Sequence, residues 1–168
     1  ERVHPCLVKK DTYIANINGV MNAVILEGLP VGESVLQGEG AGPGPTSSAL
    51  MSDLLSILRG NIKYPFGLPF KKREKINFYD KNKYINSLYL RFIVKDKPGV
   101  LSSITKIFTK NKISIKNLIQ NPDKKNNKAS IIIITHINLE KNNNDLLSDL
   151  SKNKFILKKP TFIRIEKF

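Results

Sequence analysis

The first place where chemistry could happen is a stretch almost without side chains. Gly38-Glu39-Gly40-Ala41-Gly42-Pro43-Gly44-Pro45-Thr46 sets glycines at alternate positions just ahead of a helix-like run. Bare backbone exposes N–H groups and lets a ligand approach closely, and the start of a helix favours negative charge. A cofactor phosphate, amide or ribose could sit there; a glycine-rich turn for tight chain reversal would read the same way. Two well-known phosphate loops are excluded. Gly44-Pro45-Thr46 lacks the lysine of a P-loop. Pro43 and Pro45 stand where the last glycine of a G-x-G-x-x-G fingerprint would fall, so this is not a primary dinucleotide site. A second suggestive point is Asp96-Lys97-Pro98-Gly99, between a strand-like and a helix-like run. Pro98 fixes the backbone there and Gly99 permits close approach to a helix N-terminus. Its plain alternative is a structural β-to-α turn.

Other reactive side chains lack partners in the sequence. Cys6 has no recognisable His and Asn or Asp around it and reads as a small filler. His4 and His136 stand apart from any cysteine or second histidine, so neither reads as a metal ligand. Lys9 and Lys10 read as surface lysines. No H-E-x-x-H, C-x-x-C or paired-carboxylate constellation occurs.

These points must be held by two stretches of different texture. Between Leu7 and Leu36 run two or three strand-like segments, including Ala23–Leu26 and Ser34–Leu36, with turns at Gly19, Gly28 and Gly32. After the glycine loop, Leu50, Leu54, Ile57 and Leu58 recur at helical spacing, predicting a helix over Ser47–Leu58 capped by Thr46 or Ser47 and closed by Gly60. Residues 61–87, broken by Pro65, Gly67 and Pro69, read as a linker. From Leu88 the pattern is βαββαβ: strands over Leu88–Val94, Ile113–Ile119, Ala129–Ile137 and Phe155–Glu166, with helices over Val100–Lys110 and Asn144–Leu150. That alternation predicts a ferredoxin-like α/β sandwich with both helices on one face.

Composition narrows the class. The chain has 168 residues, 40% hydrophobic and 25% charged, as expected of a soluble globular protein. The longest strongly apolar stretch, Ile131–Ile134, is far short of the ~18 residues a membrane helix needs. A single cysteine excludes a disulfide framework and fits the cytoplasm. The chain starts with Glu1, and residues 1–10 lack a signal-peptide layout, so a piece of something longer is expected. The net charge of +14 raises a nucleic-acid reading. Yet residues 1–70 sum to −1, and only five of the 28 basic residues are arginine, the side chain that base and phosphate recognition leans on. The lysines read as a solvated surface.

Several ordered blocks now carry a resemblance. Val3-His4-Pro5, Asn22-Ala23-Val24, Gly38-Glu39-Gly40-Ala41-Gly42 and Pro45-Thr46-Ser47-Ser48-Ala49 up to Asp53-Leu54 resemble the closing stretch of the homoserine dehydrogenase catalytic region. Ser47 stands where that family usually has alanine. Beyond it, Tyr89-Leu90-Arg91-Phe92-Ile93-Val94-Lys95-Asp96-Lys97-Pro98-Gly99-Val100-Leu101, continuing through Ile113-Ser114-Ile115 to Gln120 and then Ile134-Thr135-His136, is similar to an ACT domain.

The resemblance implies an α+β chain: the end of a dehydrogenase substrate domain over 1–60, the linker over 61–87, and a ferredoxin-like ACT domain over 88–168. It implies NAD or NADP as cofactor, with Gly42, Gly40 and Gly38 beside it. It also implies interconversion of L-homoserine and L-aspartate 4-semialdehyde, in threonine and methionine biosynthesis. The nucleotide-binding fingerprint and catalytic lysine of that family lie upstream of such a stretch, so the chain alone is expected to be inactive, with no catalytic residue of its own. The ACT resemblance implies an amino-acid effector, threonine, held by Asp96, Gly99 and Asn117, and a homodimer or homotetramer. No metal, nucleic acid or membrane partner is expected. The rival readings are a stand-alone ACT binding module, which leaves the glycine loop idle, and an RNA-binding ferredoxin-like domain. The latter stacks bases on aromatic residues of its central strands, and Ala129–Ile137 has none.

Overall fold

A computed structural model describes residues 2–61, 67–75 and 77–167. The chain forms two compact units, one of Glu1–Lys9 with Phe78–Phe168 and one of Lys10–Asn77. Part of the expected linker, residues 62–66 and 76, lies outside the described residues.

The Lys10–Asn77 unit is built on a hairpin. Strands β2 (Met21–Gly28) and β3 (Gly32–Glu39) pair antiparallel from Met21↔Glu39 to Gly28↔Gly32. Helix α1 follows, over Pro43–Leu58, with Gly42 as its N-cap. It starts four residues before the predicted Ser47. The reason is that proline is tolerated in a first helical turn, where its missing N–H would have had no partner. Ser47 is therefore no cap; its hydroxyl donates to the Pro43 carbonyl at 2.6 Å. No described residue between Lys10 and Asn77 is buried. Leu50, Leu54, Ile57 and Leu58, the stripe that predicted the helix, are all exposed.

The other unit holds the core. Strand β4 (Ile85–Lys95) is central, between β6 (Lys128–Thr135) and β8 (Thr161–Ile165), both antiparallel to it. Strand β5 (Ile115–Asp123) pairs outside β6, and β7 (Asn138–Leu139) pairs with the start of β4. At the far edge, β1 (Cys6–Leu7) joins β8 in parallel, giving the order β1-β8-β4-β6-β5.

Alternation puts Leu88, Leu90, Phe92 and Val94 of β4, with Ala129, Ile131 and Ile133 of β6, on one buried face. Helices α2 (Val100–Lys110) and α3 (Glu140–Ser151) cover it with Val100, Ile104, Phe108, Leu146 and Leu150. This is the predicted α+β sandwich with both helices on one side.

Several predicted boundaries shift for physical reasons. Strand β4 begins at Ile85 rather than Leu88, because Asn86 continues the alternation inward and is buried among polar partners. Helix α3 begins at Glu140 rather than Asn144, its first turn buried by Glu140 and Asn143 instead of by apolar residues. The predicted last strand is split. Ile156 bridges Val94, and regular pairing resumes only at Thr161, after Pro160.

Candidate functional site

The glycine loop is a turn between β3 and α1. The Gly40 N–H donates to the Val20 carbonyl at 3.1 Å, fixing the exit from the hairpin. Gly42 has φ of 117° and ψ of 155°, a conformation L side chains rarely adopt. Gly40 is held for another reason: a Cβ there would lie 1.3 Å from Asn22 Nδ2, so Asn22 of the hairpin packs on bare backbone. Gly38 has no positive φ, and a side chain there would meet open space. Gly38, Gly40 and Gly42 are all exposed.

What the loop offers a ligand follows from its prolines. Pro43 and Pro45 have no N–H, and the Thr46 N–H donates to the Gly42 carbonyl at 3.2 Å. Among the first turn's backbone groups, that leaves Gly44 as a donor. The helix end is a poor phosphate cradle. It suits close contact with an uncharged ring or ribose, where the absence of side chains matters more than donors.

The second site is a hollow of about 270 Å³ at the C-terminal end of β4. Asp96, Lys97, Pro98 and Gly99 form its rim, and Gln120 of β5 and Ile131 of β6 close its side. Gly99 caps α2 in the left-handed conformation, at φ 85°. The Asp96 N–H donates to the Asn127 carbonyl at 3.0 Å, anchoring the turn, while the Ser103 N–H donates to the Gly99 carbonyl and starts the helix. The N–H groups of Leu101 and Ser102, one turn in, have no acceptor within the helix. The arrangement can hold a small carboxylate on backbone N–H groups with an amide side chain opposite.

Asp96 and Gly99 meet at this hollow; Asn117 does not line it. A register irregularity between Ile115 and Asn117 is the cause. Ile115 pairs with Thr135 on the helix-covered face, but Asn117 pairs with Ile134 and points to the opposite face. Gln120, opposite Ile131, returns to the helix side and was missed. Alternation counted back from the hollow, not forward from Ile113, would have found it.

Sequence reasoning also missed a buried polar cluster at the other end of β4. The Glu140 carboxylate, 2% exposed, accepts from Asn86 Nδ2 at 2.7 Å and from both Nε and Nη2 of Arg164. Arg2 Nη2 lies 3.5 Å from it, and Asn143 Nδ2 donates to the Asn86 side-chain Oδ1 at 2.9 Å. Burial pushes the Glu140 carboxyl up, but the hydrogen bonds from Arg164 and Asn86 and the guanidinium charges outweigh it and hold the group below its ordinary value. Beside it, the Tyr84 hydroxyl donates to Glu166, which with partial burial pushes the phenol up to about 12.

Among the described residues no group of His, Cys, Asp and Glu could hold a metal ion, and no helix is long and apolar enough to cross a membrane. His136 is exposed, its N–H donating to the Ser114 carbonyl, and His4 Nδ1 lies 3.0 Å from the Pro5 carbonyl. Cys6 is free and exposed on β1.

Residues 1–55 match the family model for homoserine dehydrogenase, and residues 88–155 match that for the ACT domain. The chain joins a homoserine dehydrogenase C-terminal segment to an ACT domain. A homoserine dehydrogenase of Helicobacter pylori is 36% identical over 165 residues, and one of Pseudomonas aeruginosa 32% over 172. Each alignment covers 98% of this chain but only 39% and 40% of the relative, so the chain spans about two fifths of the proteins it resembles. A homoserine dehydrogenase structure from Thiobacillus denitrificans superposes over 99% of this chain and 38% of its own, with a TM-score of 0.82 at 32% identity. The glycine loop falls inside the homoserine dehydrogenase match, and the Gly99 hollow inside the ACT match.

Proposed function

We propose that this chain is the C-terminal part of an NAD(P)-dependent homoserine dehydrogenase of the cytoplasm, interconverting L-homoserine and L-aspartate 4-semialdehyde, with L-threonine sensed by its ACT domain. The observation that carries the catalytic half is that the described residues between Lys10 and Asn77 form no buried core while their glycine loop and α1 stripe stand exposed. Such a unit needs further protein to cover its apolar face, as a split catalytic domain would. When bound, the nicotinamide nucleotide supplies or accepts the hydride. The part of Gly42 and Gly40 is to let it lie against main chain, with Asn22 bracing the turn; Gly38 follows them with less steric demand.

For the sensing half, Gly99 and the α2 N–H groups take the effector carboxylate, and Asp96 is in reach of its ammonium. Gln120 takes the part first assigned to Asn117. Calorimetry on the 168-residue chain tests this directly. Heat on adding millimolar L-threonine, abolished by Gln120→Ala and kept by Asn117→Ala, is the expected result; no heat from a folded chain removes the effector reading.

The catalytic half is tested in the full-length enzyme. Gly42→Val raises KM for the nicotinamide cofactor with homoserine KM little changed, whereas equal cofactor KM values would remove the loop from the cofactor site. An ACT binding module without catalysis draws support from one fact: all buried hydrophobic residues described lie between Leu88 and Leu150. Dehydrogenase activity in the full-length protein separates the two readings.

A further inference from the structure

The homoserine dehydrogenase match includes the first residues of the chain, yet those residues fold as a strand of the ACT sheet. Cys6 and Leu7 pair with Arg164 and Ile165, and the Glu166 N–H donates to the Leu7 carbonyl at 2.9 Å. All other pairs in that sheet are antiparallel, so this parallel strand is an addition to the βαββαβ unit and not one of its own hairpins.

Its docking is shallow at the backbone and deep at one side chain. Both strand residues are exposed, but Arg2, four residues before Cys6, reaches the buried Glu140 carboxylate and lies 5.3 Å from the centre of the Tyr84 ring. Glu140 is held in place independently, by Arg164 and Asn86, and its N–H donates to the Tyr84 carbonyl at 2.7 Å. A two-residue edge strand, held by its short pairing with β8 and by the Arg2–Glu140 contact, is the kind of element that opens locally while the rest stays folded.

Strand β4 joins this clamp to the Gly99 hollow. Ile85 and Asn86 stand at the clamp, Lys95 stands at the hollow, and the strand runs unbroken between them for about 30 Å. The chain leaves β1 and passes at Lys10 into the unit that carries the glycine loop.

We infer that Arg2–Leu7 is a strap by which the ACT domain holds the dehydrogenase segment, with Glu140 as the positioning residue that locks it and effector occupancy at the Gly99 hollow as the event that tightens it. The tightening rests on the effector reading above; the lock does not. Linkage requires that if effector binding favours the docked strap, the docked strap favours effector binding by the same factor.

Hydrogen exchange and calorimetry on the 168-residue chain, wild type and Arg2→Ala, test both parts. In Arg2→Ala the Glu166 amide should exchange about fivefold faster while the Leu90 and Phe92 amides are unchanged, as for the loss of one partly exposed ion pair. In the wild type, saturating L-threonine should slow exchange at Glu166, and Arg2→Ala should weaken threonine by a similar factor. Unchanged exchange at Glu166 in Arg2→Ala overturns the lock. Threonine heat with no change at Glu166, and equal affinity in both proteins, overturns the tightening while leaving the effector reading intact. Absence of heat from both proteins overturns the effector reading and the tightening together, and the lock is still decided by Glu166 exchange. Arg2→Lys, which keeps the charge, should restore most of the protection; failure to do so assigns the lock to guanidinium geometry.

Discussion

Gly42 and Gly99 both sit at positive φ ahead of a helix, but the consequences of filling them differ. Neither has a Cβ clash, so each is required by backbone conformation alone. Gly99→Ala should destabilise the ACT unit by about 1 kcal/mol, read as a lower urea midpoint with unchanged slope. Gly42→Ala lies outside the core-bearing unit and should leave that midpoint unmoved. Glu140 and Tyr84 set opposite pH limits. The Glu140 carboxyl is depressed on folding, so its contribution is complete above its ordinary value of 4.5 and fades as pH falls through the lower folded value. The Tyr84 phenol is raised, so its contribution is complete below 10.0 and fades as pH climbs toward about 12. Chemical denaturation across acid pH should show Glu140→Gln with a flatter acid limb than wild type. Tyr84→Phe should flatten the alkaline limb in the same way.

At the scale of elements, two amphipathic helices with similar sequence stripes have opposite fates. Ile104 of α2 is fully buried, and Ile104→Ala should cost about 2–5 kcal/mol. Leu54 of α1 is 48% exposed, and Leu54→Ala should stay within about 0.5 kcal/mol in this chain. Thermal melts of the two variants would separate the cases; a large loss for Leu54→Ala would mean that α1 is buried after all.

Periodicity made the existence of both helices legible, because spacing reports which residues share a face. It did not report what covers that face. The same limit explains Asn117: one extra residue in β5 reverses the parity of the strand, and no composition signal marks where it sits. Glu140 and Asn143 were hidden because they lie in a polar run, Glu140–Asp145, whose helix buries charge in place of hydrocarbon. The glycine loop and the Asp96–Gly99 turn were readable from residue type alone, since positive φ and proline's missing N–H are local properties.

For the whole molecule, the two halves differ in self-sufficiency. The ACT unit has its own core, while the glycine-loop unit presents apolar side chains outward, so the purified chain should show no homoserine-dependent reduction of NADP. A standard dehydrogenase absorbance trace would settle this, and a homoserine-dependent signal would overturn it. The chain should likewise show no retention of single-stranded RNA even at low salt, since Ala129–Ile137 of the central sheet offers no aromatic on which bases could stack.

Strand β1 also bears on how such a domain could travel between proteins. A graft that lifts only Phe78–Phe168 would leave the outer backbone of β8 bare, an invitation to self-association of the kind edge strands provoke. Portability of this domain thus depends on a non-contiguous passport: a few residues that come early in the chain and must be inherited along with the module they complete.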